Sequence, residues 1–209
     1  TEISFTKQGK DDSWTSETTI KDWSALKYMT NLEKLNVSSC TMTALDVTTM
    51  TNLKELRANN TRIAEIDLSN NTALTEVQVS GNALTELNVS ALKDLKVLNV
   101  AYNKIAAIDL SNNTALEGVY VNGNQLTELN VSALAGLKRL NCEHNQISSL
   151  DVTSNSQLVV LNCGRNKLAN LKVSGLAELA ILSANYNAEL STVDLSGLNK
   201  LRAFNAPHS

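Results

Sequence analysis

Apolar residues recur along this chain with one fixed period. Leu32, Leu53, Leu74, Leu95, Leu116, Leu137, Leu158, Leu179 and Leu201 open nine units; the first eight begin 21 residues apart and the last follows Leu179 after 22. The extra residue lies within Asn187–Leu190, because the following Val193-Asp194-Leu195 is displaced by one. In each unit the fourth position is apolar (Leu35, Leu56, Val77, Leu98, Val119, Leu140, Leu161, Leu182, Phe204), and so is the sixth (Val37, Ala58, Val79, Val100, Val121, Cys142, Cys163, Ala184, Ala206). Alternation at period two predicts a short strand there. A second alternating triplet follows, as in Leu45-Asp46-Val47 and Ile108-Asp109-Leu110, so each coil is predicted to hold two short extended segments.

A period of 21 is also three heptads, but a coiled coil fails on spacing. The apolar steps run 3, 2 and 2, and Ser-Asn-Asn-Thr turns at Ser69–Thr72 and Ser111–Thr114 interrupt any helix. A generic parallel β-helix, which also stacks two strand faces per coil, is the alternative fold. The pattern L-x-x-L-x-L-x-x-N, with Ile66-Asp67-Leu68 followed by Ser69-Asn70-Asn71-Thr72-Ala73-Leu74, resembles the leucine-rich repeat proteins, and among them the short 21-residue bacterial class of Bacteroides-type surface proteins. The resemblance covers residues 32–209. It implies a β-rich solenoid of nine stacked coils, with a parallel sheet on the concave face and short extended segments on the other. It also implies an exported or lipid-anchored bacterial protein, extracellular or at the cell surface, that binds other molecules.

One coil cannot bury its leucines alone; stacked coils bury them against neighbours. The ninth position holds Asn82, Asn103, Asn124, Asn145, Asn166 and Asn187, whose amides suit backbone groups left unpaired at the corner and are expected to stack as a ladder. Cys40 and Thr61 replace them in the first two coils, which are expected to turn more loosely. On the other side, Asn71, Asn113 and Asn155 alternate with Leu92, Leu134 and Leu176, as duplication of a two-coil unit would produce. The column Asp46, Asp67, Asn88, Asp109, Asn130, Asp151, Lys172, Asp194 should face solvent and make Asx and Ser/Thr turns, rather than a calcium site, which needs more oxygens. Residues 1–31 lie outside the repeat and carry Phe5, Trp14, Ile20 and Trp23, which suits an N-terminal cap for the solenoid of residues 32–209. The sequence stops at Ser209 inside its ninth coil without a polar cap, so either Pro207 ends the last strand with its edge shielded or the chain has been cut there, and edge contacts are expected at that coil.

Composition sets the outer limits. The chain has 209 residues, 43% hydrophobic and 19% charged, with 8 Gly and 1 Pro, which is globular rather than disordered or collagen-like. A formal net charge of −3 makes nucleic acid an improbable partner. No apolar run approaches the roughly 18 residues of a membrane span, and no signal peptide is present within the chain, whose first residue, Thr1, is expected to result from processing or trimming. Cys40, Cys142 and Cys163 form no C-x-x-C pair; Cys142 and Cys163 occupy inward sixth positions of adjacent coils, where a disulfide would be strained, and free thiols are expected.

Parity within the first strand assigns the third, fifth, seventh and eighth positions to the exposed concave face. The eighth column reads Ser39, Asn60, Gly81, Tyr102, Gly123, His144, Arg165, Tyr186, His208, and of the four Tyr and two His in the chain, six in all, five fall in these four columns. Tyrosine is favoured at recognition surfaces. The candidate binding residues are therefore Tyr102, Tyr120, Arg139, His144, Arg165 and Tyr186, with Glu143, Val97, Val160 and Ile181 making the surface part polar and part apolar. Large side chains that merely cover a sheet are the plainer alternative. A protein or glycan partner suits such a surface, and neither metal nor cofactor is implied. The expected function is a non-catalytic binding module. The alternatives are a structural spacer without a ligand and, last, a glycoside-acting enzyme built on Glu55 and Glu76, adjacent in one column but without a pocket to dry them.

Overall fold

The structure, a computed structural model, describes residues 2–4 and 23–206. Phe5, Trp14, Ile20, Pro207, His208 and Ser209 lie outside the described residues. The described residues form twelve three-residue strands: β1 (Glu2–Ser4), β2 (Lys34–Asn36), β3 (Glu55–Arg57), β4 (Glu76–Gln78), β5 (Val97–Asn99), β6 (Gly118–Tyr120), β7 (Arg139–Asn141), β8 (Ser149–Asp151), β9 (Val160–Asn162), β10 (Asn170–Lys172), β11 (Ile181–Ser183) and β12 (Ala203–Asn205). Ten form one all-parallel sheet in the order β1-β2-β3-β4-β5-β6-β7-β9-β11-β12, while β10 and β8 pair on the other side of the coils. Strands β2–β7, β9, β11 and β12 each comprise the third to fifth positions of their unit, and register is kept from coil to coil, as in Leu56 opposite Val77 and Leu98 opposite Val119. The chain is thus a parallel-sheet solenoid.

The leucines share a single interior. Leu53, Leu74, Leu95, Leu116, Leu137, Leu158 and Leu179 are fully buried, as are Cys142 and Cys163. Each such leucine contributes about 1.5–3 kcal/mol relative to an exposed one. At the N-terminal end Leu26, on a short 3-10 helix (Ser24–Tyr28), is buried, and Trp23 and Met29 pack against the first coil while β1 pairs with β2. At the other end β12 is the outermost strand of the sheet, and Phe204 is 45% exposed where its column mates are buried.

The second extended segment is regular strand only in β8 and β10; elsewhere the same positions run as loop. Their turns close through the Asx column. Asp46 Oδ1 accepts from the Thr48 N–H and hydroxyl, and Asp67, Asn88, Asp109, Asn130, Asp151 and Asp194 each accept from the backbone N–H two residues on. These bonds hold the Asp46, Asp67, Asp109, Asp151 and Asp194 carboxyls below the usual carboxylate range. Lys172, in the same column, donates to Asp151 at 3.1 Å.

Candidate functional site

The corner after each strand dictates what the surface can carry. The sixth and eighth N–H groups still donate to the next coil, as Val100 to Tyr120 O and Tyr102 to Asn122 O, so the coil-to-coil ladder outlasts the strand. The chain then bends at the eighth residue, which is left-handed in every described coil: Ser39, Asn60, Gly81, Tyr102, Gly123, His144, Arg165 and Tyr186 have φ between 53° and 69°. This corrects the parity assignment of that column. Side-chain alternation requires extended backbone, and it ends before the eighth position, so these residues form a rim beside the sheet rather than a row upon it.

The six asparagines of the ninth position sit directly behind this rim. Asn103 Nδ2 donates to Val79 O and Val100 O at 3.0 Å each, and its Oδ1 accepts from Leu84 N–H. Asn145, Asn166 and Asn187 repeat this with the same sequence offsets, and Asn124 does so from a half-buried position. Asn82 reaches Ala58 O and Val79 O, and its Oδ1 also accepts from Thr61, the buried residue in the ninth place of the preceding coil. The first two corners are no looser than the others: Ser39 and Asn60 keep the same left-handed φ.

A second set of buried amides was visible in the sequence only as an alternation. Asn71, Asn113 and Asn155 are fully buried, and each donates twice to the coil before it, as Asn113 does to Val89 O and Leu92 O at 2.8 Å. Cys142 and Cys163 are free and inert; burial pushes the Cys142 thiol up to about 12 and raises Cys163 as well.

On the face itself two regions differ. In the first coils Lys34 pairs with Glu55 at 2.7 Å, and Arg57 bridges to Glu76 at 2.9 Å, with Gln78 also donating to Glu76. Glu55 and Glu76 are register partners, yet each carboxylate faces a cation. Farther along, the third column becomes Val97, Gly118, Arg139, Val160 and Ile181. The rim there carries Tyr102, which is 64% exposed, His144, Arg165 and Tyr186. The Arg165 guanidinium lies 4.6 Å from the centre of the Tyr186 ring and pairs with Glu143 at 3.6 Å. A cleft of about 160 Å³ is lined by Tyr102, Asn122, Glu143, His144 and Arg165. Tyr102, His144 and Arg165 therefore come together; Tyr120 and Arg139 lie on the neighbouring strands β6 and β7. Asn122 was missed from sequence, although it occupies the seventh column and could have been found by reading that column fully.

Solved structures similar to this chain include leucine-rich repeat proteins. The functional domain of InlJ from Listeria monocytogenes is 30% identical over 87% of this chain and 45% of that one, with a TM-score of 0.72. This chain has the leucine-rich repeat fold. A leucine-rich repeat protein of Leptospira interrogans (24% identity, TM-score 0.74, 87% of this chain and 50% of that one) shares the fold, and so does an internalin, inlF, of Listeria monocytogenes (27%, 0.68, 88% and 56%). The chain thus spans about half the length of these leucine-rich repeat structures. No protein-family model matches it, and no curated protein does. Among the described residues no helix is long and apolar enough to cross a membrane.

Proposed function

We propose that this leucine-rich repeat domain is a non-catalytic binding module of an exported, cell-surface bacterial protein, and that it recognises a protein or glycan ligand through the later coils of the concave face and their rim. One observation carries the proposal. Left-handed backbone costs a residue with a side chain about 1–2 kcal/mol, and glycine or asparagine relieves it. Gly81 and Gly123 use that relief, yet Tyr102, His144, Arg165 and Tyr186 occupy the same conformation. Bulky aromatic and cationic side chains held at strained positions favour a surface selected for what it contacts rather than for stability. The apolar third-column residues Val97, Val160 and Ile181 beside them add desolvatable area. Export rests on the resemblance of the repeat to bacterial surface proteins.

The test compares the native chain with the Tyr120→Ala, Tyr186→Ala double variant on glycan and protein arrays. A ligand lost by the double variant supports the proposal. A ligand bound equally by both overturns the concave-face assignment, and no ligand at all favours a spacer.

A further inference from the structure

Coil five, residues 116–136, holds Gly118 in its strand and Gly123 at its corner, and a tyrosine ring covers each. Tyr120 turns back along its own strand, so that a β-carbon on Gly118 would meet its Cε2 at 3.3 Å and its hydroxyl at 3.7 Å. Tyr102 leans from the preceding coil across Gly123, where a β-carbon would come within 2.6 Å of Cδ1 and 3.0 Å of Cε1. The φ of Gly123 is itself +69°, but Gly118 has no left-handed backbone to explain it; the space it leaves to the Tyr120 ring does. Each ring therefore rests part of its edge or face on a glycine, Tyr120 half-buried and Tyr102 still 64% exposed.

Planar polar groups border both rings. Tyr120 is in register with Asn99 and Asn141, and each of these amides is fixed by accepting, through Oδ1, the N–H two residues on. Beside Tyr102 stand Asn122, Glu143 and His144 of the cleft. A protein hot spot calls for a pocket that swallows a protruding anchor. Rings resting on glycines and edged by amides, a carboxylate and an imidazole instead match a pyranose, whose C–H face is apolar and whose rim carries paired hydroxyls that both donate and accept.

Within the concave-face function proposed above, on which this step rests, we propose that coil five is a saccharide platform: Tyr120 and Tyr102 stack on sugar rings, and Asn99, Asn141, Asn122, Glu143 and His144 bind their hydroxyls.

The experiment is a glycan array followed by calorimetric titration of the bound class, with cellohexaose, mannohexaose and chitohexaose as soluble probes, on variants whose folding is checked by thermal melting. Binding of a saccharide is expected, with Tyr120→Ala and Tyr102→Ala each weakening it about tenfold. Gly118→Ala, which keeps both tyrosines and shifts the Tyr120 ring by only a few tenths of an ångström, should weaken it less than either removal, while Tyr28→Ala, at an exposed tyrosine on the 3-10 helix, should leave it unchanged. The proposal is overturned if no saccharide binds, or if binding survives removal of both rings. A protein ligand lost on Tyr120→Ala plus Tyr186→Ala, with no saccharide bound, would sink the platform and leave the binding face standing. A saccharide held equally by every variant would sink both.

Discussion

The first three corners of the solenoid and those that follow share one backbone conformation but are filled from different kinds of residue. Ser39, Asn60 and Gly81 are small, whereas Tyr102, His144, Arg165 and Tyr186 are large, with Gly123 between them. The sheet beside them changes in step. Lys34, Glu55, Arg57 and Glu76 neutralise one another in the early coils, and the later coils present Val97, Gly118, Tyr120, Val160 and Ile181. The difference teaches that the repeat fixes shape and leaves the surface free: the same corner can be relaxed or can hold strained, bulky side chains without altering the stack behind it.

That contrast can be broken or sharpened in several ways. The largest effect should not distinguish the regions at all. Asn82→Ala and Asn166→Ala, one from each, would each strip one of the two side-chain donors from a pair of carbonyls and orphan backbone N–H groups, those of Thr61 and Ile63 for Asn82 and that of Ile147 for Asn166, and each should cost about 3 kcal/mol in chemical denaturation. A much larger loss at one of them would mean that the scaffold is not uniform. Next, Gly123→Ala should cost about 2 kcal/mol, because it adds a left-handed side chain and displaces the Tyr102 ring. Gly81→Ala should cost less, since the group it meets is the end of the flexible Asn60 side chain. In the opposite direction, His144→Gly should stabilise the fold by about 0.5–1 kcal/mol as strain is relieved against added chain entropy. The same change should weaken the ligand; a stabilised variant that binds normally would remove His144 from the rim's function.

The smallest expected effect is acid sensitivity. The Asx-turn carboxyls are held below their ordinary range in the folded chain, so their stabilisation is complete above the unfolded value and is lost as pH falls through the folded one. Replacing Asp46, Asp67, Asp109, Asp151 and Asp194 by Asn, as Asn88 and Asn130 already stand in that column, keeps the turn acceptors. It should flatten the thermal-melting profile at acid pH while changing little at neutrality. An unchanged acid profile would show that these turns carry no pH-linked stability.

Much of the molecule was legible in the sequence because a stack of identical coils turns a spacing in sequence into a contact in space. The leucine columns, the Asn ladder, the Asx turns and the inward Cys142 and Cys163 all follow from a 21-residue period. The eighth column was misassigned for a definite reason. Parity assumes extended backbone, and nothing in Tyr102, His144 or Arg165 announces a left-handed residue; only Asn60, Gly81 and Gly123 in the same column do. The role of Gly118 was equally hidden, since its partner Tyr120 is on the same strand but the space between them exists only in three dimensions.

The amino-acid order alone determined the solenoid, its register and its interior, because each coil can bury its apolar residues only against a copy of itself. Tertiary structure decided which exposed residues meet. Tyr102 reaches Gly123 and Arg165 reaches Tyr186 across coils through side-chain directions set at the bent corner, and the periodicity of the chain says nothing about that bend.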